Sequence, residues 1–412
     1  MQGLHLTADL YDCSCELSLL IDADRLAEFC RSRTVAAGLT VVADKWHTFP
    51  DHEGSPGGVT GMLLLAESHL AIHTWPERGG VTLDVYVCNF SDDNSHKARG
   101  LMAALQEAFQ PGSAQHQHLD RGEPDGPATK GELLLEALDE RSVYGFRFPK
   151  RLLTQRTEHQ QLELLESPQL GRTLRLDGHF MTSERDEFFY HEALVHPAAM
   201  AHAAPQRALI LGGGDGGAAE ELLKHPSVRE VVLVDLDPQV VEVARRELRA
   251  IHGGALDDPR VQVRCGDGVA FVAETEERFD LVLLDLTDPE TPAGPLYTPQ
   301  FFAQLRRVLA PGGAAVLHLG APFHQPQRVR GLARALGEAF ERVSAYGLHI
   351  PLYGAYWAFA VVSDSLVPPR LASAEVQQRL QQRGVDQLQY YNPEVHQALF
   401  ALPNFYRALL AR

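Results

Sequence analysis

The feature of this sequence that most restricts its fold is a run of glycines between a buried strand and a helix. The apolar segment Ala208–Leu211 leads into Gly212–Gly217, and a helix-like stretch begins at Ala218. The next apolar strand, 231–234, ends at Asp235, where nucleotide-binding folds place an acid that binds ribose hydroxyls. Further strands are predicted at 261–264, 281–284 and 314–317. This alternation predicts an α/β fold with a doubly wound parallel sheet, whose ligands collect at the carboxyl ends of the strands.

Acidic residues follow the predicted strands or their turns. These residues are Asp215, Asp235, Asp267, Asp285 and Asp288. Helix capping explains one or two of them. Five carboxylates at one ligand edge predict a cationic ligand, because like charges packed together without one are costly.

This part of the chain resembles the polyamine aminopropyltransferases of the spermidine synthase type. The motifs that carry the resemblance are Leu176-Asp177-Gly178, Thr182–Phe188, Tyr190-His191-Glu192, Gly212–Gly217, Gly266-Asp267-Gly268, Asp285–Pro289 and Tyr390–His396. The resemblance implies a Rossmann-like catalytic domain of the methyltransferase type that follows a small β domain.

The resemblance also implies roles for individual residues. Those that would hold the nucleoside are Gln160, Asp235, Asp267, Gly268 and Pro292. Those that would hold the amines are His191, Asp215, Asp288 and Tyr353. Asp285 would be the general base for the attacking amine. The implied co-substrate is decarboxylated S-adenosylmethionine and the implied acceptor is putrescine, since an acidic site would repel the carboxylate of the intact sulfonium compound.

A second chemical feature lies near the amino terminus. The apolar run Met62–Ala66 predicts a buried strand, and it leads to Glu67-Ser68-His69, with His73 and Cys88 further on. An ordinary buried strand with core histidines explains each of these residues taken singly. Together, and in this order, they indicate chemistry at the serine.

The segment Ala66–Glu77, followed by Cys88, resembles the processing site of the prokaryotic pyruvoyl-dependent S-adenosylmethionine decarboxylases. Two further segments also resemble that family, Gly3–Tyr11 and Gly58–Gly61. The resemblance implies that the chain cuts itself between Glu67 and Ser68 and that Ser68 becomes a pyruvoyl cofactor. This ketone would form a Schiff base with the substrate amine and accept its electron pair. His73 would carry protons during processing, and Cys88 would protonate the decarboxylated carbon.

The composition divides the chain into segments. Residues 111–131 are rich in Pro, Gly and polar residues without apolar periodicity, which predicts a flexible linker. We therefore expect an α+β decarboxylase domain over 1–110 and, after the linker, a hairpin-rich β domain over 132–196. The Rossmann-like catalytic domain is expected over 197–412.

Charge and cysteine content exclude several classes of protein. The formal charge of −17 argues against a nucleic-acid surface and is compatible with cationic small substrates. No apolar run reaches the roughly 18 residues of a membrane span, and the first residues lack the pattern of a signal peptide. The five cysteines show no Cys-x-x-Cys spacing, so neither a disulfide framework nor a zinc site is expected. We expect a cytoplasmic homo-oligomer without a metal, a membrane or a nucleic acid as partner.

The two resemblances together predict a bifunctional enzyme of polyamine biosynthesis. The first domain would decarboxylate S-adenosylmethionine, and the second would transfer the aminopropyl group to putrescine, giving spermidine and methylthioadenosine. Two alternatives remain open for the first domain. In one it decarboxylates ornithine or arginine, and in the other it stays unprocessed and only regulates the enzyme or supports its assembly. The acceptor amine of the second domain could also differ.

Overall fold

Two compact units make up the protein, residues 1–129 and 130–412. The computed structural model describes residues 2–51, 54–89, 93–122 and 131–411. Both units combine helices with sheets, which confirms the predicted mixture of α and β structure. Within the described residues, no helix has both the length and the apolar character needed to cross a bilayer.

The first unit is an antiparallel sheet with helices on one face. Its elements are β1 (Gln2–Tyr11), α1 (Ser18–Ile21), α2 (Ala23–Ala36), β2 (Val41–Thr48), β3 (Val59–Leu65), β4 (Ser68–Trp75), β5 (Gly80–Cys88), α3 (Ser95–Phe109) and β6 (Ser113–Gly122). The strand order is β2-β3-β4-β5-β1-β6. Alternate strand residues pack with α2 and α3 in one core, which includes Leu63, Leu70 and Val85.

The opposite face of this sheet is open. Because side chains alternate along a strand, only half of the run predicted as a buried strand is buried. Leu63 and Leu65 belong to the core, whereas Met62 and Leu64 are 40% and 47% exposed. The prediction was therefore right about the strand and wrong about its burial on both faces.

The predicted flexible linker over 111–131 is wrong for its first half. Ser113–Gly122 is a strand that pairs with β1 along its whole length, from Ser113 opposite Tyr11 to Gly122 opposite Gln2. This strand is at the edge of the sheet and most of its described side chains are exposed, so backbone hydrogen bonds rather than an apolar pattern hold it. Composition does not reveal that kind of pairing. Residues 123–130 of the expected linker lie outside the described residues.

The second unit begins with β hairpins. These are β7 (Glu132–Ala137) and β8 (Val143–Phe148), followed by β9 (Lys150–Arg156), β10 (Gln161–Ser167), β11 (Gly171–Leu176) and β12 (His179–Ser183). The last four form one antiparallel sheet in the order β12-β11-β10-β9. Antiparallel pairs of consecutive strands therefore occupy residues 132–183 of the segment expected to be rich in hairpins.

A larger sheet with helices on both faces completes the second unit. Its elements are α4 (Glu187–Ala201), β13 (Arg207–Gly212), α5 (Gly217–Leu223), β14 (Glu230–Asp235), α6 (Pro238–Glu247), α7 (Arg249–His252), β15 (Val261–Cys265), α8 (Gly268–Glu274), β16 (Phe279–Asp285), α9 (Pro299–Arg307), β17 (Leu309–Gly320), α10 (Pro326–Ala339), β18 (Arg342–Ile350), β19 (Ala355–Ser363), α11 (Ser373–Arg383), α12 (Pro393–Leu399) and α13 (Asn404–Leu410). The strand order is β15-β14-β13-β16-β17-β19-β18.

This sheet is doubly wound, as the glycine turn predicts. The strands from β15 to β17 pair in parallel, and β19 runs antiparallel to its two neighbours. Both faces are buried, because Ile210 packs in one core and Leu209 and Leu211 pack in the other. All five strands expected from apolar segments are present.

The expected boundary between residues 196 and 197 falls inside a helix. The helix α4 runs through it from Glu187 to Ala201 and contains Pro197. His196 and Ala198 on either side are fully buried, so packing overrides the helix-breaking tendency of the proline. The small β domain therefore ends before α4.

We predict that β6 tolerates proline unequally at adjacent positions. Only every second N–H of an edge strand faces its neighbour, and His116 and Gln117 lie opposite Ala8 and Thr7. One of the single variants His116→Pro and Gln117→Pro should lower the free energy of unfolding by about 1–3 kcal/mol, and the other should lower it less. Chemical denaturation of the full chain measures both. Equal tolerance of the two prolines would favour a linker.

Candidate active sites

A cavity of about 220 Å³ lies at the carboxyl edge of the parallel strands in the second unit. Nine of the ten residues expected to act in this unit line it together. They are Gln160, His191, Asp215, Asp235, Asp267, Gly268, Asp285, Pro292 and Tyr353. The cavity therefore lies where a doubly wound sheet binds its ligands.

The glycine turn allows two carboxylates to approach the backbone closely. A Cβ atom on Gly213 would lie 2.9 Å from Asp285 Oδ2, and one on Gly214 would lie 2.7 Å from Asp235 Oδ2. Gly213 also has a φ of +68°, a value that glycine adopts without steric cost. The glycines at these positions are needed because the acidic side chains occupy the space of a Cβ atom.

One end of the cavity presents hydrogen-bonding groups suited to a nucleoside. Asp235 accepts hydrogen bonds from the N–H groups of Gly214 at 2.9 Å and Asp237 at 2.8 Å, and burial raises the pKa of Asp235 to about 6. Asp267 caps α8 by accepting from the N–H of Val269. Gln160 donates to the Asp237 carboxylate at 3.0 Å, which orients its amide beside the cavity.

The other end contains a histidine among three carboxylates. His191 Nδ1 lies 2.7 Å from Glu187 Oε2, and its Nε2 lies 3.6 Å from Asp215 Oδ2 and 3.9 Å from Asp285 Oδ2. Burial lowers the pKa of His191, but the charge of Asp215 and the hydrogen bond to Glu187 raise it overall to about 10. The imidazole is therefore charged at neutral pH. Glu187 was missed from the sequence, although its spacing of four residues before His191 on a helix would have indicated the pair.

Asp285 is buried in this cluster with an unsatisfied oxygen. Its Oδ2 atom has no hydrogen-bond partner among the described residues, and neither does the hydroxyl of Tyr190, which lines the same cavity. Burial, and then the charge of Asp215, raise the pKa of Asp285 to about 7. Buried polar atoms are nearly always paired in folded proteins, so these two atoms point to a ligand. A carboxylate with a pKa near neutrality is also suited to general-base chemistry.

Asp288, the tenth expected residue, lies outside the main cavity. It lines a smaller adjoining cavity of about 30 Å³ together with Tyr353 and Trp357. Its carboxylate accepts a hydrogen bond from Arg328 at 2.9 Å. This arginine was not predicted, because it is 40 residues from Asp288 in the chain and lies on α10.

In the first unit, the expected cleavage site is a tight hairpin turn. Ala66 and Glu67 join β3 to β4, and Ser68 begins β4 with a φ of +153°. Residues other than glycine rarely adopt such a φ, and backbone strain of this kind is concentrated at functional sites. The carbonyl oxygen of Glu67 accepts a hydrogen bond from the N–H of Cys88 at 2.8 Å. The peptide expected to break is thus both strained and polarised, with Cys88 beside it.

His69, rather than His73, is the histidine beside Ser68. The Nδ1 atom of His69 lies 3.4 Å from Ser68 Oγ. The Nε2 atom of His69 lies 3.3 Å from Asp84 Oδ1, and His5 Nε2 lies 2.8 Å from the same oxygen. His5 and Asp84 were missed from the sequence, since only the pairing of β1, β4 and β5 brings them to His69.

The structure does not bring His73 to Ser68 within one chain. The two residues are five positions apart on β4, which corresponds to about 16 Å along an extended strand. His73 instead lies beside Thr60, with 2.7 Å between Nδ1 and Oγ1. The expected role of His73 as a proton carrier therefore stays a prediction.

Three family models match this chain. Residues 4–122 match the model for S-adenosylmethionine decarboxylase. Residues 146–184 match the spermidine synthase tetramerisation domain, and residues 187–369 match the spermine/spermidine synthase domain. The first match includes β6 and the last begins at α4, in agreement with the boundaries that the structure shows.

Curated relatives match about two thirds of this chain, over most of their own length. The chain is 41% identical over 289 residues to a polyamine aminopropyltransferase of Nitrosomonas europaea, covering 70% of this chain and 89% of that protein. It is 40% identical over 265 residues to polyamine aminopropyltransferase 1 of Pseudomonas aeruginosa, covering 64% of this chain and 92% of the relative.

Solved structures of spermidine synthases have the same fold as this part of the chain. One, in complex with the transition-state analogue AdoDATO, superposes with a TM-score of 0.64 at 30% identity, covering 68% of this chain and 94% of that structure. The spermidine synthase of Thermotoga maritima gives a TM-score of 0.63 at 30% identity, with 69% and 95% covered.

We predict that Gly217→Ala destabilises the second unit. The new Cβ atom would lie 2.3 Å from His191 Cε1. The ring would have to shift and so disturb its 2.7 Å contact with Glu187, and the free energy of unfolding should fall by about 1–3 kcal/mol. Gly331 on α10 is a matched control, because a Cβ atom there meets no other atom within 4 Å. Gly331→Ala should be neutral or stabilise by about 0.5–1 kcal/mol. Urea denaturation compares the two variants, and an unchanged Gly217→Ala would contradict the packing at His191.

Proposed function

The chain belongs to the polyamine aminopropyltransferase family and carries an S-adenosylmethionine decarboxylase domain ahead of it, and from this we propose that its two units catalyse consecutive reactions. The first unit decarboxylates S-adenosylmethionine. The second unit transfers the aminopropyl group of the product to putrescine, which gives spermidine and methylthioadenosine. The unsatisfied carboxylate of Asp285, in an acidic cavity beside the glycine turn, is the observation that carries the assignment of the second unit.

The charge of the cavity supports this choice of substrates. Glu187, Asp215 and Asp285 surround the single imidazolium of His191, so the cluster has an excess of negative charge when the carboxylates are ionised. An amine ligand neutralises that excess, whereas the carboxylate of intact S-adenosylmethionine adds to it. The site therefore favours the decarboxylated form and disfavours methyl transfer, although methyltransferases share the fold.

We assign the steps of transfer to residues by their position. Asp235, Asp267 and Gln160 hold the nucleoside, with Gly268 and Pro292 beside it. Asp215 binds the ammonium of the aminopropyl group. The His191 cation holds Asp215 and Asp285 in place. Asp285 accepts the proton of the acceptor amine, which then attacks the carbon next to the sulfonium in line with the leaving thioether.

The acceptor occupies the cavity between Tyr353 and Asp288. Since Arg328 already pairs with Asp288, the carboxylate must share its charge between the arginine and an incoming ammonium. An ammonium group at Asp288 and an attacking amine at Asp285 together favour a small diamine such as putrescine. A different acceptor amine in the same cavity is the second candidate.

The first unit has the features needed to make its own cofactor. The strained φ of Ser68 and the polarised carbonyl of Glu67 fit an attack of the Ser68 hydroxyl on the preceding peptide. The pyruvoyl group that results would supply the electron sink for decarboxylation. Cys88, whose N–H donates to the carbonyl of Glu67, would return a proton to the decarboxylated carbon.

Other functions for the first unit are less well supported. The match of residues 4–122 to S-adenosylmethionine decarboxylase does not favour an ornithine or arginine decarboxylase. An unprocessed regulatory domain does not account for a strained serine beside a polarised carbonyl. In that case the purified protein would migrate as one intact chain.

We also propose that the protein is a homo-oligomer. Residues 146–184 match a tetramerisation domain. In the first unit, the open sheet face exposes Met62, Leu64 and Trp75, and the same face carries His73. A second copy packed on this face would bring His73 to a serine that it cannot reach within its own chain.

We predict that Ser68→Ala leaves a single chain of 412 residues, while the wild type is cut into residues 1–67 and 68–412, which are resolved under denaturing conditions. The variant should lack decarboxylase activity but transfer an aminopropyl group from supplied decarboxylated substrate, because the second unit is unaltered. Mass spectrometry of the intact protein measures the cut. Ser14→Ala is the matched control, since the Ser14 hydroxyl donates to the carbonyl of Gln110 and lies outside the proposed cleavage site. Cleavage that persists in Ser68→Ala would exclude Ser68 as the nucleophile.

We predict that transfer depends on the ionisation of Asp285. Its pKa of about 7 lies above the usual value for aspartate, so the base form increases as pH rises, and kcat/KM for the diamine should increase through about pH 7. Asp285→Asn should slow transfer by roughly 100-fold or more and remove this increase. Asp288→Asn should mainly raise KM for the diamine. Steady-state kinetics measure these effects over a pH range that extends roughly two units on either side of the expected pKa. An Asp285→Asn variant with the wild-type rate, or methyl transfer by the wild type, would overturn the assignment.

A further inference from the structure

We propose that His69 is the base that activates Ser68 for self-cleavage and that Asp84 holds His69 in the tautomer required. This inference rests on the proposed self-processing of the first unit. It assigns the first proton transfer to a residue that neither the motifs nor the comparisons give a role.

The contacts around His69 determine which nitrogen carries the proton. Asp84 Oδ1 lies 3.3 Å from His69 Nε2 and 2.8 Å from His5 Nε2. His5 Nε2 is hydrogen-bonded to Asp84, whereas His69 Nε2 lies within ion-pair distance of the same oxygen. A carboxylate accepts and cannot donate, so its position beside Nε2 favours the His69 tautomer with the hydrogen on that nitrogen. The neutral His69 ring then has its lone pair on Nδ1, which lies 3.4 Å from Ser68 Oγ. The order serine, histidine, carboxylate is the arrangement that activates a hydroxyl nucleophile.

Regular strands, rather than loops, hold this arrangement in place. Tyr86 of β5 lies directly opposite His69 of β4 on one side and His5 of β1 on the other. The ring of Tyr86 is 5.7 Å from that of His69 and 5.5 Å from that of His5, measured between centroids. The sheet register therefore orients the imidazole before any reaction, which is the condition for an effective catalytic group.

The proposed step balances within the chain. The Ser68 hydroxyl gives its proton to His69 Nδ1 as Oγ forms a bond to the carbonyl carbon of Glu67. The negative charge on the carbonyl oxygen is stabilised by the N–H of Cys88, which already donates to it at 2.8 Å. The bond from carbon to the Ser68 nitrogen then breaks, and His69 returns the proton to that nitrogen. The product is an ester between the Glu67 acyl group and Ser68 Oγ, and His69 is regenerated.

His73, the histidine that the resemblance implies for processing, is too far from Ser68 for this step. His73 lies about 16 Å along β4 from Ser68 and is in contact with Thr60. His73 therefore cannot activate the Ser68 hydroxyl of its own chain. Its expected role as a proton carrier would require the Ser68 of a second copy.

A metal ion is the competing use of the same residues. One ligand atom each of His5, His69 and Asp84 lies within 4.8 Å of the others, which a divalent cation could bridge. Such an ion would need a lone pair on each Nε2 atom, and would therefore displace the hydrogen that the proposed tautomer has on His69 Nε2. Metal binding and the proposed tautomer are thus mutually exclusive, and the two can be separated by experiment.

The test follows processing of the freshly made full chain over time on denaturing gels. His69→Gln should slow cleavage by roughly 100-fold or more, and Asp84→Asn by at least about 10-fold. The precursor of His69→Gln should resist hydroxylamine, which cleaves esters and not amides, because the acyl shift itself is blocked. Added imidazole should partly restore cleavage in His69→Gly, which a misfolded unit would not show. His47→Gln on the same sheet is the control and should process as the wild type does.

Three results would overturn the inference. They are cleavage of His69→Gln at the wild-type rate, accumulation in that variant of an ester that hydroxylamine cuts, and a wild-type chain whose cleavage requires a divalent metal and stops with a chelator. If His69→Gln does not fold, Asp84→Asn and the imidazole rescue decide the question. A wild-type chain that never cleaves, or a Ser68→Ala variant that does, would instead overturn the proposed processing itself.

Discussion

The second unit depends on the close approach of the glycine turn to two buried carboxylates. The backbone at Gly213 and Gly214 occupies positions where any side chain would overlap Asp285 or Asp235. This approach removes water from the acids, and the loss of solvation raises the pKa of each. One local constraint therefore sets the position of the nucleoside site, the basicity of the proposed base and the preference for a cationic substrate.

The sequence predicted the parts of the fold that are buried on both faces. The strands β13, β14, β16 and β17 each contain a short buried apolar run, because a parallel sheet covered by helices leaves no polar face. The edge strand β6 was not predicted, since its stability comes from backbone pairing with β1 and its side chains carry no apolar pattern. The boundary at residue 196 was also misplaced, because tertiary packing keeps α4 helical through Pro197.

Site residues that directly follow a strand could be predicted from the sequence. Those brought together by strand pairing or helix packing could not. Strand ends converge at one edge of a parallel sheet, so the acids after β13, β14 and β16 could be grouped in advance. In contrast, Arg328 reaches Asp288 from α10, and Asp84 reaches His69 from a neighbouring strand. Contacts of this kind depend on register and helix packing, which one sequence does not specify.

The position of β1 has a consequence for the protein after self-cleavage. Cutting between Glu67 and Ser68 would assign β1, β2 and β3 to a short chain and β4, β5 and β6 to a long one. Since β1 lies between β5 and β6, the short chain is hydrogen-bonded to the long one along both edges of this strand, and β3 is paired with β4 as well. The two chains would therefore share one interleaved sheet, and separating them would require unfolding the domain.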